Sequence, residues 1–302
     1  MALHQRPFRS NQDKYAMFTL TKEFAATNLH VIDLPYRLSS WALDEPENVQ
    51  LWFDEEEKLI GWAVIQTPFW TIDYAYHPSL KLHSEILAWA DARAHAIVDT
   101  TYGHPAWYVM VFDDQTQRIR DLEAAGFTCQ ANVGDNSWSK VLMRRVTFEP
   151  VKLYHPPAGY TVRSLKGQEE IEEYVELHRS VFESKNMTSE WRRCTLEHPD
   201  YRKDLDVLVE SPDGKLVAFC VCWFDPASSM GHVEPLGCHK NFRKFALGRV
   251  ALSHGLHRLQ SLGAKEIFVE TDSYRNTAFR LYEFFDFEVI KNVLVYRKDY
   301  PK

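Results

Sequence analysis

The residues best suited to chemistry are concentrated between Glu234 and Phe287, in the run EPLGCHKNFRKFALGRVALSHGLHRLQSLGAKEIFVETDSYRNTAFRLYEFFDF. Arg243, Lys244 and Arg249 bring cations to a short stretch of an otherwise acidic chain. The small Ala246 and Gly248 stand among them, with Phe245 and Leu247 between. From Leu247 to Leu262 the spacing of Leu252, Leu256 and Leu259 predicts a helix with one apolar stripe, ended by Gly263. A loop that opens into a helix presents unpaired N–H groups and the positive end of the helix dipole. Such a place binds anions. A pyrophosphate suits this one, because small residues let phosphate oxygens approach the backbone.

Just ahead of the loop stands a candidate base. Glu234 lies between Val233 and Pro235, and burial in that apolar setting would raise its pKa toward neutrality. The competing reading is a solvated glutamate on a strand face. His232, two residues back on the same face, and Glu270, on the next predicted strand, are alternative bases. Asn276 begins a predicted helix, which it would cap. Cys238 has no base with an orienting partner in the pattern, so no nucleophilic role is expected. His239, His254 and His257 lack an evident third ligand, so no metal site is expected.

The composition bounds the scaffold that must position these groups. A chain of 302 residues has the length of about two domains. A net charge of −7 without any Lys/Arg block argues against nucleic acid or an anionic membrane as the main partner, and an acidic body favours an amine-bearing one. The five cysteines are scattered, odd in number and without a CxxC pair, which suggests free thiols in a reducing compartment. Cys220 and Cys222 share one face of a predicted strand and read as packing. The N-terminal MALHQRPFRSNQDK is followed by no apolar run, and no stretch has the length of a membrane span, so a cytoplasmic location is expected. A monomer and a homodimer both remain open.

A Pro- and Gly-containing stretch, VTFEPVKLYHPPAG, divides the chain. The expected organisation is a first half at 1–147, a linker at 148–158 and a second half at 159–302. In the second half, strands are predicted at Tyr160–Leu165, Asp206–Glu210, Leu216–Phe224, His232–Cys238, Ile267–Thr271 and Asn292–Arg297. Helices are predicted at Glu169–Phe182, Leu247–Leu262 and Asn276–Phe285, the last with Ala278, Leu281, Tyr282 and Phe285 on one face. The first half follows a similar order less distinctly. Its strands are Val49–Phe53, Leu59–Gln66, Trp70–Tyr76 and Trp107–Phe112, its helices Glu85–Val98 and Thr116–Ala125, and Val141–Arg144 would close its sheet. The fold class is a mixed α/β sheet built twice, as by internal duplication.

The segment Glu234–Phe287 resembles the acyl-CoA core of the GCN5-related N-acetyltransferase (GNAT) superfamily. That family's loop pattern, Q/R-x-x-G-x-G/A, is matched by Arg243, Ala246 and Gly248. Its following strand, Asn-bearing turn and helix ending in Tyr and Gly-Phe are matched by Ile267–Thr271, Asn276, Tyr282 and Asp286–Phe287. Two positions depart from the pattern. Ala246 replaces the first loop glycine, and its methyl would crowd a pyrophosphate unless its backbone stays helical. Asp286 replaces the helix-ending glycine and would adopt a left-handed conformation. The first half resembles the fold through Trp107–Phe112 and Gly126–Phe127. Its loop His77–Glu85 contains no glycine and its helix Gln115–Ala125 no tyrosine, so it is expected to bind no CoA. The whole is similar to a tandem acetyltransferase with two GNAT-like domains, the first degenerate.

The resemblance implies an acetyl-CoA-dependent N-acetyltransferase that acts on a small amine by direct transfer, without a metal. It implies Tyr282 as the acid for the leaving thiolate and supports Glu234 as the base. It also implies that backbone groups at Leu236, Gly237 and Cys238 meet the acyl carbonyl and the pantetheine, and that Asn276 contacts the CoA arm. The acceptor is expected among Phe182–Trp191, Trp223 and Phe224, with Trp70, Tyr74 or Tyr76 walling the cleft. The alternatives are a CoA-binding sensor or scaffold without catalysis, and a transferase for a longer acyl group or a hydroxyl acceptor.

Overall fold

The computed structural model describes residues 4–134, 137–273 and 276–301. The first half begins with β1 (His4–Pro7), α1 (Asn11–Glu23) and α2 (Leu34–Arg37). It continues with β2 (Val49–Phe53), β3 (Leu59–Gln66), β4 (Thr71–Tyr76), α3 (His83–Ile97), β5 (Ala106–Phe112), α4 (Thr116–Ala124), β6 (Thr128–Cys129) and β7 (Ser139–Val146). The second half carries β8 (Thr161–Ser164), α5 (Ile171–Phe182), α6 (Ser189–Leu196), β9 (Asp206–Glu210), β10 (Leu216–Asp225) and β11 (Met230–Cys238). It ends with α7 (Leu247–Ser261), β12 (Glu266–Asp272), α8 (Asn276–Glu283) and β13 (Glu288–Asp299).

The strands form one mixed sheet in the order β1-β2-β3-β4-β5-β13-β7-β12-β11-β10-β9-β8, with β6 pairing β13 beside this path. The two closing strands trade places relative to the sequence expectation. Residues Lys140–Val146 of β7 pair with Asp272–Glu266 of β12. Residues Val293–Asp299 of β13 pair with Phe112–Ala106 of β5. Side chains account for the exchange. Val141 and Met143 join the second half's core with Ile267, Val269 and the α7 leucines. Tyr296 and Tyr300 join the first half's core with Trp107 and Val109. Alternation in a strand shows which face is apolar, but not which neighbour it meets.

Helix α7 lies on the second half's core through Leu247, Ala251, Leu252, Leu256 and Leu259, all buried. Each such leucine contributes about 1.5–3 kcal/mol. Gly255 brings the helix close to the sheet: a Cβ there would lie 2.8 Å from Cys222 Sγ and 2.9 Å from Cys220 Sγ. The two thiols are 3.6 Å apart and pack in the same core.

The α1–α2 region, which periodicity did not mark, ties the halves together. Ile32 and Tyr36 are buried in the core formed by Tyr174, Trp191 and Phe219 of the second half. Trp191 Nε1 donates to Tyr36 O at 3.0 Å, and Tyr36 Oη meets His178 Nε2 at 3.3 Å. Trp41 Nε1 donates to Asn186 O at 3.0 Å, and Asn186 Nδ2 to Pro68 O at 2.7 Å.

Candidate active site

The second half's sheet opens at β11. This strand pairs in parallel with β12 only from Met230 to His232, against Glu266 to Phe268. On its other side the register with β10 slips between Cys220 and Cys222, opposite the cis peptide Glu234–Pro235. A bulge of this kind bends a strand and re-aims its side chains. Trp223 Nε1 fixes the bend by donating to Glu234 O at 2.8 Å. Beyond it, Leu236, Gly237 and Cys238 stay paired with Cys220, Phe219 and Ala218 of β10, so their other edge faces the opening. Gly237 is required by packing, since a Cβ there would come within 2.5 Å of Phe219 Cζ and 2.7 Å of Val181 Cγ1.

The loop after β11 is a 3-10 turn, Lys240–Phe245, that leads into α7. Arg243, Lys244, Phe245, Ala246 and Arg249 are exposed, while Leu247 is buried and anchors the helix start. The Arg249 guanidinium lies 4.5 Å over the Phe284 ring and 5.7 Å from that of Tyr154, which holds the charge in place. A Cβ on Gly248 would touch only Cys238 Cβ at 3.6 Å, so the protein's own packing leaves room there. Ala246 has φ 55° and ψ 28°. Its backbone is therefore left-handed and not helical, at a cost of roughly 1–2 kcal/mol for a residue with a Cβ. The cations, the helix start and the space beside Gly248 together fit a phosphate-bearing arm. At the end of α8, Asp286 has φ 60°, and Phe287 N donates to Tyr282 O at 3.1 Å. Gly126, with φ 85°, and the Phe127 N to Leu122 O bond at 3.0 Å repeat this geometry in the first half.

Glu234 sits within a network of charges, much of it supplied by the first half. His30 Nδ1 lies 2.7 Å from Asp33 Oδ2, and His30 Nε2 lies 3.5 Å from Glu270 Oε2. Lys140 pairs with Glu270 and reaches Asp272 Oδ1 at 3.5 Å. Arg37 grips both oxygens of Asp73, at 2.8 and 3.1 Å. Burial, followed by the charges of Asp33 and Glu270, pushes the Glu234 carboxyl up to about 7; Arg37 and Lys140 only partly oppose this. Burial also pushes Glu270 up, but Lys140 and His30 more than offset it and hold that carboxyl below its usual range. Asp33 is likewise held far down, because His30 and His232 outweigh its burial. Burial lowers His232 and favours its neutral form.

Tyr282 is buried in the second half's core and packs on Phe287, with ring centroids 5.6 Å apart. Burial, and then the charge of Glu234, raises its hydroxyl well above the usual value. Burial also pushes the Cys238 thiol up, so it is not an activated nucleophile. Asn276 is the first residue of α8, but its side chain lies outside the described residues. The expected acceptor residues are dispersed. Trp70 is exposed and stacks on His104 at 4.5 Å. Tyr74 and Tyr76 pack around His83 in the first half. Trp191 and Trp223 are buried and bonded to backbone carbonyls. The first-half charges that act on Glu234 are Asp33, Arg37 and Lys140, and His30 holds Asp33. His30, Asp33 and Arg37 lie in a stretch without helical or strand periodicity, and their only sequence signal is polar residues on either side of Pro35.

The profile of the acetyltransferase (GNAT) family matches residues 171–287, which contain the bulge, the loop and α8. The second half thus carries a GNAT-family domain over residues 171–287. The GNAT family works with acyl-CoA, and the coarse activity of this domain is acyl transfer. The whole chain also matches solved structures of the same fold. A GCN5-related N-acetyltransferase from Sphaerobacter thermophilus is 16% identical with a TM-score of 0.67, covering 99% of this chain and 96% of that one. A tandem GNAT protein from the clavulanic acid biosynthesis pathway is 12% identical with a TM-score of 0.67, covering 100% and 99%. Saccharomyces cerevisiae N-myristoyltransferase is 13% identical with a TM-score of 0.61, covering 100% and 80%. At these identities the likeness shows the fold: two GNAT-like halves on one long mixed sheet. No curated protein sequence matches. Among the described residues no helix is long and apolar enough to cross a membrane.

The first GNAT-like half has a comparable opening. β4 and β5 pair in parallel only at Thr71 and Tyr108. Thr27–His30 lines a cavity there together with Asp73 and Tyr74 of β4 and Met110 and Phe112 of β5. Gln115 Nε2 and Arg118 Nη1 both donate to Thr27 O, at 2.8 and 2.7 Å. The cavity has a volume of about 40 Å³.

Proposed function

We propose that the chain is an acetyl-CoA-dependent N-acetyltransferase that acetylates a small amine by direct transfer. The observation that carries this is Glu234 at the β11 bulge, just beyond the last β11–β12 pair at His232 and on the strand that runs into the cationic loop before α7. Acetyl-CoA supplies the activated acyl group. Arg243, Lys244 and Arg249, with the N–H groups at the start of α7, hold its phosphates. The free edge of Leu236–Cys238 binds the pantetheine and receives the carbonyl oxygen as negative charge develops on it.

Glu234 takes one proton from the acceptor ammonium. The freed nitrogen attacks the thioester carbon, the new C–N bond forms and the C–S bond breaks. The thiolate receives its proton from Tyr282, which recovers one from the nitrogen side. Glu234 suits the base role better than its neighbours. Glu270 is tied to Lys140 and His30 and held below its usual range, while Glu234 is pushed up to about 7. We also propose the boundaries 1–147, 148–158 and 159–302, with a first half that shapes the acceptor cleft and binds no CoA. The segment Thr27–His30 at its opening supports this.

The test is calorimetric titration with acetyl-CoA, followed by thiol release across an amine panel. One bound acetyl-CoA per chain with amine-dependent release is expected. Binding without release for any amine would instead leave a non-catalytic CoA-binding protein.

A further inference from the structure

Asp33 stands at the N-cap of α2, yet its carboxylate makes no capping hydrogen bond. This is unusual, because an N-cap aspartate normally satisfies a helix N–H. It turns instead to His30 through Oδ2, while Oδ1 is buried and has no hydrogen-bond partner among the described residues. Asp33 is 1% exposed. A buried carboxylate oxygen without a partner is costly unless something else completes it.

The neighbouring carboxylates show where the remaining demand lies. Both oxygens of Asp73 are taken by Arg37. Glu270 has Lys140 and His30, and Asp272 has Trp138 and Lys140. The Glu234 carboxylate has no hydrogen bond to a described residue, and Asp33 is the charged neighbour that acts on it most strongly. Among the described residues, five carboxylates (Asp33, Asp73, Glu234, Glu270 and Asp272) thus meet three cations (His30, Arg37 and Lys140) and His232, a buried imidazole near Asp33 that burial shifts toward its neutral form. The excess is negative, is enclosed by both halves, and has its two unclaimed acceptors at Asp33 and Glu234.

On the acyl-transfer reading above, we propose that the acceptor is an aliphatic amine that enters as a cation, and that Asp33 Oδ1 receives its ammonium group beside Glu234. The first half thereby supplies a substrate-binding residue to the second half's chemistry. Asp33 stays ionised throughout, while Glu234 accepts the proton that frees the nitrogen. Arylamines, which are uncharged at neutral pH, and alcohols bring no charge to complete the cluster.

The experiment compares butylamine and 1,4-diaminobutane with aniline and butanol as acceptors, using the full chain and acetyl-CoA. The charged amines are expected to be the better substrates. Asp33→Asn should raise their KM by about 10- to 100-fold, the worth of one charge-assisted hydrogen bond. It should leave kcat within a few-fold and the acetyl-CoA KM unchanged, and Asp33→Glu should recover part of the loss. Should Asp33→Asn fail to fold, the wild type still decides. Butyltrimethylammonium should compete with the amine, and its uncharged analogue 3,3-dimethylbutanol should not. Preference for aniline, equal inhibition by cation and alcohol, or an equal rise in both KM values would overturn this inference and leave the transferase reading intact. Transfer to none of the four acceptors, with acetyl-CoA bound, would overturn both.

Discussion

Burial raises both Glu234 and Tyr282, which brings the carboxylate into the range of a base and keeps the hydroxyl protonated. Replacing the base by its amide, Glu234→Gln, should lower kcat/KM about 10²- to 10⁴-fold with acetyl-CoA affinity retained. The wild-type pH profile should rise to a plateau above about 7, where Glu234 is ionised, and the variant should lose that limb. The same group has an opposite effect on stability. Its folded-state pKa lies above the ordinary 4.5, so its contribution is fully present below that value and is lost as pH rises through about 7. Thermal melts of Glu234→Gln at pH 8 should therefore be no lower than those of the wild type. Tyr282→Phe keeps the ring against Phe287 and removes only the hydroxyl. Single-turnover rates should fall about 10²-fold, with the acetyl-CoA Kd unchanged. An unchanged rate would remove Tyr282 from the mechanism.

At the scale of elements, α7 serves the core and, on the proposed function, a ligand as well. Gly248 at its start faces open space beside Cys238, whereas Gly255 two turns later is pressed against Cys220 and Cys222. Gly→Ala at the two positions should therefore give opposite readouts. Gly248→Ala should melt like the wild type and bind acetyl-CoA more weakly in calorimetry. Gly255→Ala should lose about 1–3 kcal/mol in urea unfolding, the usual cost of overpacking. The helix itself was legible from its leucine stripe, and so were most strand positions. α2 was not: four residues that begin with Leu34–Pro35 carry no periodicity, and only the docking of Tyr36 between α5 and α6 gives them a fixed place.

At the scale of the whole molecule, the exchange of β7 and β13 makes each half incomplete alone. A fragment of residues 159–302 lacks β7, which leaves the β12 edge unpaired and Ile267 and Val269 without Val141 and Met143. Exposed strand edges of this kind lead to aggregation. The fragment expressed alone should be insoluble or should fail to bind acetyl-CoA. Co-expressed with residues 1–147, it should assemble into a complex that elutes at the size of the full chain and binds acetyl-CoA. A soluble, binding-competent 159–302 fragment would show that the exchange is dispensable.

The sequence by itself determined most elements of the second half, α6 apart, and marked the cationic loop at Arg243–Arg249 and the burial of Glu234 between Val233 and Pro235. These rest on local information: spacing along a helix, small residues before it, and the neighbours of one glutamate. It also marked Asp286 for a left-handed backbone, because one residue's φ is a local matter. Only the tertiary structure decided that Ala246 shares that conformation, that β7 and β13 cross between halves, and that Asp33 and Arg37 act on Glu234. Asp33 and Glu234 are some 200 residues apart in the sequence. Contacts across such distances are set by which apolar faces find each other, and no pattern within a short window records them.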